Sequence, residues 1–249
     1  MLLAFSTWPE IEAWLARSRT VVIPIGSNEQ HGPTGLLGTD WLCPEIIAHE
    51  AHRRGGDILV APTFNIGMAQ HHLGFPGTIT LRPSTFQAAI CDWVQSLARH
   101  GFERIYFFNG HGGNTASIEA GFSEAYSQWS FRKEVCPFAL RLRAWWQLPG
   151  VGELAGQLFP TGHGSHATPS EIAITQSAYP DTVKQATCTP TVAPHGPIRD
   201  ALDYRARFPD GRIGSDPLLA TPAAGARLID AAATALVADV AEFANEPRM

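Results

Sequence analysis

At 249 residues the chain is long enough to bury a full α/β core. Only 16% of its residues are charged, its net charge is −5 and it has no basic stripe, which excludes nucleic acid as a partner. No stretch of about 18 apolar residues is free of charge, so no membrane span is expected. No basic start precedes an apolar run, so no signal peptide is expected either. Cys43, Cys91, Cys136 and Cys188 form no CxxC pair, which points to buried thiols in a reducing, cytoplasmic setting.

In chain order, "TVVIPIG" (Thr20 to Gly26) is a short apolar run that reads as a buried strand. "TDWLCPEIIAHEAHRRGG" follows as a helix, with Thr39 or Asp40 as its cap and Pro44 tolerated in the opening turns. "DILVAP" (Asp57 to Pro62) predicts a second strand, and "TFNIGMAQHHLGFPGTITL" a long irregular segment. In "STFQAAICDWVQSLARHG" Phe86, Ile90, Trp93, Val94 and Leu97 share a helical face, and Gly101 ends it. "ERIYFFNG" is the third strand. "NTASIEAGFSEAYSQW" is a helix with Ile118, Phe122, Ala125, Tyr126 and Trp129 on one side. "EVCPFALRLRAWW" predicts another strand, and Ala223 to Phe243 the last helix. Between Tyr179 and Pro222 the chain is rich in Pro, Gly and short polar residues, and no second core is expected there. The alternation of strands and helices predicts a three-layer α/β sandwich with a mostly parallel central sheet, in one domain over 1–249.

Open parallel sheets bind ligands beyond the carboxyl ends of their strands. The first predicted strand runs into "PIGSNEQHGPTGLLGTD", which carries Glu29, His31 and Asp40; another ends in "NGHGGN", which carries His111. These oxygen and nitrogen donors suit zinc or manganese. The i, i+2 spacing of Glu29 and His31 puts both on one side of an extended segment, and the two oxygens of Asp40 can bridge two ions. Taken singly, Glu29 or His31 is more often a surface-loop residue and His111 a helix-capping or buried hydrogen-bonded histidine; their joint placement after strands favours a metal hydrolase. In "GHGSHATPSEIAIT" Thr168 or Ser170 caps a helix, which puts Glu171 in its first turns with His166 just before it: one candidate ligand and one candidate proton shuttle. His49, His52 and His100 read as surface or helix-end residues, and His163 and His195 stay open. Trp145 and Trp146 are core or interface residues, or a flap over a substrate.

The stretches "PIGSNEQHGPTGLLGTD", "HHLGFPGTITL", "FFNGHGGN", "SHATPSEIA" and "GSDPLLATPAAG" together resemble the creatininase (creatinine amidohydrolase) family. The resemblance implies a dinuclear site holding two divalent ions, zinc and/or manganese. By likeness Glu29, His31, Asp40 and His111 are ligands, with Asp40 bridging. Members with N-G-H-G-G-N usually take a further glutamate from an H-A-G-x-x-E-T-S motif; here "HATPSEIA" puts Glu171 at that glutamate and His166 at the motif histidine, while Thr168 replaces the glycine and Ile172-Ala173 replace Thr-Ser. True creatininases carry a tyrosine and a glutamate directly after the histidine matching His111, where this chain has Gly112 and Gly113.

The expected reaction is hydrolysis of a C–N bond in a small cyclic amide or formamide, other than creatinine, by a metal-activated water, with His166 delivering a proton to the leaving nitrogen. Hydrolysis of a lactone or C–C bond, trimming of a peptide precursor, or non-catalytic binding of a small ligand are the alternatives for the same crevice. Gln70, His71 and His72 line or support the substrate pocket, or belong to a structural loop; Trp145 or Trp146 closes over it. The resemblance also implies a homo-oligomer, often a hexamer, acting on a small molecule.

Overall fold

A computed structural model describes residues 1–55 and 57–247. Gly56, at the end of the predicted first long helix, and residues 248 and 249 of the expected single unit lie outside it. Three parallel strands, β1 (Thr20–Ile25), β2 (Arg104–Asn109) and β3 (Ala139–Ala144), pair in the order β1-β2-β3. Thr20 lies opposite Arg104 and Arg104 opposite Ala139, so all three strands run in step and end at one edge.

Side chains alternate across the pleat, and the strands sort them cleanly. Val22, Tyr106 and Phe108 face one layer, which contains α2 (Thr39–Arg53), α5 (Val151–Leu158), α6 (Pro169–Ala178) and α8 (Pro222–Asn245). Val21, Ile23, Ile25, Ile105 and Phe107 face the other, against α1 (Trp8–Leu15), α3 (Pro83–Arg99) and α4 (Thr115–Arg132). The result is the expected sandwich, with a sheet that is parallel throughout its three strands. On α3 and α4 the predicted faces are the packed ones: Phe86, Ile90, Val94, Ile118 and Ala125 are buried, with Trp93, Leu97, Phe122, Tyr126 and Trp129 packed beside them.

Three expectations need correction. The predicted strand at Asp57 to Pro62 is reduced to isolated bridges, Val22 with Val60 and Ile25 with Phe64. It does run along the outer edge of β1, where Val22 N–H donates to Leu59 and Ala61 N–H to Val22. Pro62 and Pro24 bring no N–H to this edge, so the ladder is interrupted until Phe64 N–H reaches the Pro24 carbonyl. Second, neither Thr39 nor Asp40 caps α2. Gly38 holds that position, and Asp40 sits inside the first turn with its carboxylate committed elsewhere. Third, the segment after Tyr179 holds a short helix, α7 (Ala201–Arg207), and its Tyr204, Phe208 and Ile213 form a small apolar cluster with Phe75. That cluster docks the segment onto the loop after Gly67.

Two glycines explain how α2 can begin directly above the strand ends. A Cβ on Gly26, which follows β1, would lie 2.4 Å from the Asp40 main chain, and one on Gly110, which follows β2, would lie 1.9 Å from the Asp40 carbonyl oxygen. Only a residue without a side chain permits either approach.

Candidate metal centre

A cavity of about 530 Å³ opens beyond the ends of β2 and β3 and the start of α2, and the loop after β1 is buried behind its wall. Glu29 and His31 come from the loop after β1, Asp40 from the first turn of α2, His111 from the turn after β2, and Trp145 and Trp146 from the end of β3. Loop positions are held by side-chain amides. Asn114 donates to the Gly26 carbonyl at 3.0 Å and accepts from Met68 N–H at 2.9 Å. Asn109 accepts from His111 N–H at 3.1 Å and donates back to the His111 carbonyl at 2.6 Å.

Glu29, His31 and Asp40 are almost fully buried. His31 Nε2 is 2.9 Å from Asp40 Oδ1, and His111 Nδ1 is 2.9 Å from Asp40 Oδ2. His111 Nε2 also lies 3.4 Å from Glu29 Oε2, so its ring stands between the two carboxylates. On the far side of Glu29, Oε1 is 3.0 Å from His72 Nε2 and 3.9 Å from His166 Nδ1. Donor atoms fall into two groups near enough to hold an ion, Glu29–His31–Asp40 and Glu29–His72–His166, which share Glu29.

The electrostatics are those of a site short of positive charge. Burial alone would drive Asp40 toward its neutral form, but the charges of His31 and His111 outweigh it and hold the carboxyl far below its usual range. Burial would likewise lower His31 and His111; Asp40 raises the first to about 10, and Glu29 with Asp40 raises the second to about 9. Burial raises Glu29 against the pull of His111. His72 is pushed down to about 2 and His71 to about 4, each mainly by burial. Both Glu29 oxygens approach imidazole nitrogens, yet among the described residues no hydrogen bond to either is formed. Buried carboxylate oxygens left this way are costly. A divalent cation among these carboxylates and imidazoles would satisfy them, and the donor set is the kind that zinc and manganese take; the residues present fit such ions.

Glu171 lines the same cavity and is buried, its carboxyl raised to about 7 chiefly by burial and opposed by the charge of His31. Thr168 caps α6: Glu171 N–H donates to its hydroxyl, while Thr168 N–H donates to Glu171 Oε1 at 2.5 Å. His166 precedes this cap and opens onto the cavity. His71, His72, Trp145 and Trp146 also line it, with the two indoles edge to face at 5.6 Å. Trp145 is a core residue of the α2–α8 layer as well. Gln70 is exposed and lies outside the lining, because the short turn Gln70–His72 points the next two side chains inward instead. His163, left open by the sequence, lines the cavity and lies 2.8 Å from the Ser170 hydroxyl. Gly112 faces open space, whereas a Cβ on Gly113 would meet His111 Nε2 at 2.4 Å.

Sequence pattern did not single out Gln30, Tyr204 or Asn114, nor did it foresee that His72 would approach Glu29. Gln30 lies between two candidate ligands, and the alternation that brings Glu29 and His31 together turns it away from them. That alternation was a usable signal. Nothing local in "DYRARF" marks Tyr204, whose hydroxyl donates to the Gly211 carbonyl at 2.7 Å beside Gln30.

The family model described as creatininase, creatinine amidohydrolase, matches residues 4–240. The chain belongs to the creatininase family. It is 30% identical over 187 residues to creatinine amidohydrolase of Pseudomonas putida, an alignment covering 71% of each chain. It is 34% identical over 105 residues to the mycofactocin precursor peptide peptidase of Mycolicibacterium smegmatis, covering 40% of this chain and 42% of that one. With the 3-dehydro-scyllo-inosose hydrolase of Thermotoga maritima it shares 27% identity over 106 residues, 43% of this chain and 34% of the other. Among solved structures, one named "Creatininase Mn" superposes with a TM-score of 0.82 at 24% identity, covering 98% of this chain and 99% of that one. A creatinine amidohydrolase (creatininase) structure gives 0.82 at 23%, covering 99% and 98%. These likenesses place the creatininase-family chain in the creatininase fold. Among the described residues no helix is long and apolar enough to cross a membrane.

Proposed function

We propose that this creatininase-family hydrolase cleaves a C–N bond in a small cyclic amide or formamide other than creatinine, using two divalent ions, zinc or manganese. The observation that carries the reading is the pair of buried carboxylates, Glu29 and Asp40, with His31 and His111 against them, beside the cavity that Asp40 and His111 line. Solved family structures named for manganese and for a zinc–zinc form support the choice of ions. Glu29, His31, Asp40, His111 and Glu171 would hold them. When bound, such ions supply electrophilic activation of a water and of the scissile carbonyl.

The chain's own residues do the rest. His166 Nδ1, 3.9 Å from Glu29, takes a proton from the attacking water and delivers it to the leaving nitrogen. Trp145 and Trp146 wall the cavity and restrict its solvent, and they offer flat faces to a planar amide. Open space beside Gly112, where a creatininase carries tyrosine, removes one such face and argues against creatinine.

A second reading, trimming of a peptide, draws on the 34% identity to the mycofactocin precursor peptide peptidase. A screen of metal-loaded protein over creatinine, cyclic ureides, formamides and short peptides, with product analysis, separates these readings. An amine or ammonia released with a carboxylate supports C–N hydrolysis. Products lacking released nitrogen would assign a lactonase or C–C hydrolase. Creatinine turnover above about 1 per second would overturn the substrate proposal. The same reading carries a homo-oligomer, a hexamer by family likeness; light scattering that reports a monomer at micromolar concentration would refute it.

A further inference from the structure

We infer that His163, with the Ser170 hydroxyl beside it, is the specificity-determining pair of this cavity and receives an uncharged hydrogen-bonding group of the substrate, away from the scissile bond. The substrate side of this inference rests on the hydrolase reading above; the choice of residues rests on geometry.

His163 is held in place by its neighbours. It is the middle residue of Gly162-His163-Gly164, and both glycines have a φ of 69°. That left-handed backbone suits glycine and strains other residues. A Cβ on Gly164 would also lie 2.5 Å from the Ile213 carbonyl oxygen and from the Ser215 nitrogen. Hydrogen bonds pin the loop on both sides of the ring. Asp216 N–H donates to the Gly162 carbonyl at 2.7 Å, and Ser165 N–H to the Ile213 carbonyl at 3.0 Å.

The imidazole so held lines the cavity. Its Nε2 lies 2.8 Å from Ser170 Oγ, which is 3.1 Å from Thr168 Oγ1. Ser170 is buried by the rest of the chain yet also lines the cavity. A hydroxyl has one proton and two lone pairs, so its two contacts leave capacity for a third partner. Ser170 directly precedes Glu171, and His166 follows His163 by three residues. The pair therefore shares the cavity with the reacting groups without belonging to either group of ion-binding side chains.

The charges around the cavity favour a neutral guest. Among the described residues no lysine or arginine lines it, and the arginines beside lining residues are committed elsewhere. Arg143, two residues before Trp145, reaches Asp239 at 3.4 Å. Arg205, next to Tyr204, lies 4.6 Å over the Phe75 ring. Arg212, next to Ile213, donates to Asp210 and to the Pro190, Thr191 and Ser215 carbonyls. Arg199, next to Ile198, is exposed outside the lining. Burial lowers the pKa of His163, which keeps its ring neutral near pH 7. A carboxylate or phosphate on the far part of a substrate would lose water here and meet no side-chain cation. A carbonyl, amide or hydroxyl finds a partner in the pair.

Hydantoin and hydantoin-5-acetate share one cyclic ureide ring and differ by a carboxylate. Titration calorimetry on the zinc-loaded full chain measures the affinity of each. Hydantoin is expected to bind at least about tenfold more tightly. His163→Phe keeps a flat ring but cannot hydrogen-bond; it should weaken hydantoin binding and raise KM by about 3- to 10-fold, with kcat and zinc content near native. His163→Gln should restore most of the loss. Ser170→Ala should weaken binding similarly, and the double variant should be no weaker than either single one, because the two side chains act as a unit. Equal or tighter binding of hydantoin-5-acetate, unchanged affinity in either single variant, or failure of hydantoin to bind at millimolar concentration overturns the proposal. If His163→Phe does not fold, Ser170→Ala decides. The expected binding pattern without release of amine or ammonia from any amide would sink the hydrolase reading and leave the subsite standing.

Discussion

A Cβ on Gly113 would lie 2.4 Å from Nε2 of His111. The second glycine of "NGHGG" is therefore not spare room: the imidazole fills the space that a side chain there would take. The true creatininases carry glutamate at this place, and the clash predicts that restoring it here does not add a ligand. Gly113→Glu should displace the His111 ring from between Glu29 and Asp40 and weaken metal binding by more than about tenfold. Elemental analysis after gel filtration checks this; unchanged or increased metal content would refute it.

His166→Ala should cut turnover by about 10²- to 10⁴-fold, the usual worth of a positioned proton-transfer group, with the metal content intact. Loss of both ions in that variant would make His166 a ligand.

The metal-free chain should lose stability as pH rises. His31 is raised to about 10 and His111 to about 9 from an ordinary value of 6.5. The folded state thus keeps protons that the unfolded chain has released. Their contribution is fully present below about 6.5 and is lost as pH passes 9 to 10, at up to about 1.4 kcal/mol per pH unit for each ring. The melting temperature of chelator-treated protein should fall between pH 7 and 10. Added divalent ions displace those protons and should flatten or reverse the slope. A rising melting temperature without metal would contradict the arrangement.

Asn114→Ala should destabilise the chain by about 1–3 kcal/mol, because it leaves the Gly26 carbonyl and Met68 N–H without their side-chain partner. Urea denaturation measures it. A change within about 0.5 kcal/mol would mean that water replaces the amide.

The parts legible in the sequence were those written in local pattern. Apolar runs gave β1, β2 and β3, and helical spacing gave the buried faces of α3 and α4. Glu29, His31, Asp40 and His111 stood in turns after strands, and parallel pairing brought those turns to one edge. What stayed hidden depends on contacts between distant segments. Whether Asp40 would cap α2 or face two histidines is not decided by its neighbours in the chain. The segment at Asp57 to Pro62 has strand composition, but Pro24, on the strand it meets, also leaves a donor missing. Tyr204 reaches Gln30 only because α7 folds back onto the loop after Gly67.

Asp40 sits on two bare backbones, those of Gly26 and Gly110, and the two glycines belong to neighbouring strand ends. A slip of one residue between β1 and β2 would set Asn109 or His111 where Gly110 lies, and a side chain would then push the start of α2 off the sheet. The candidate ion site is thus a gauge of strand register: only the correctly paired sheet leaves room for Asp40 to stand between its histidines, so misaligned chains are barred from assembling the chemistry.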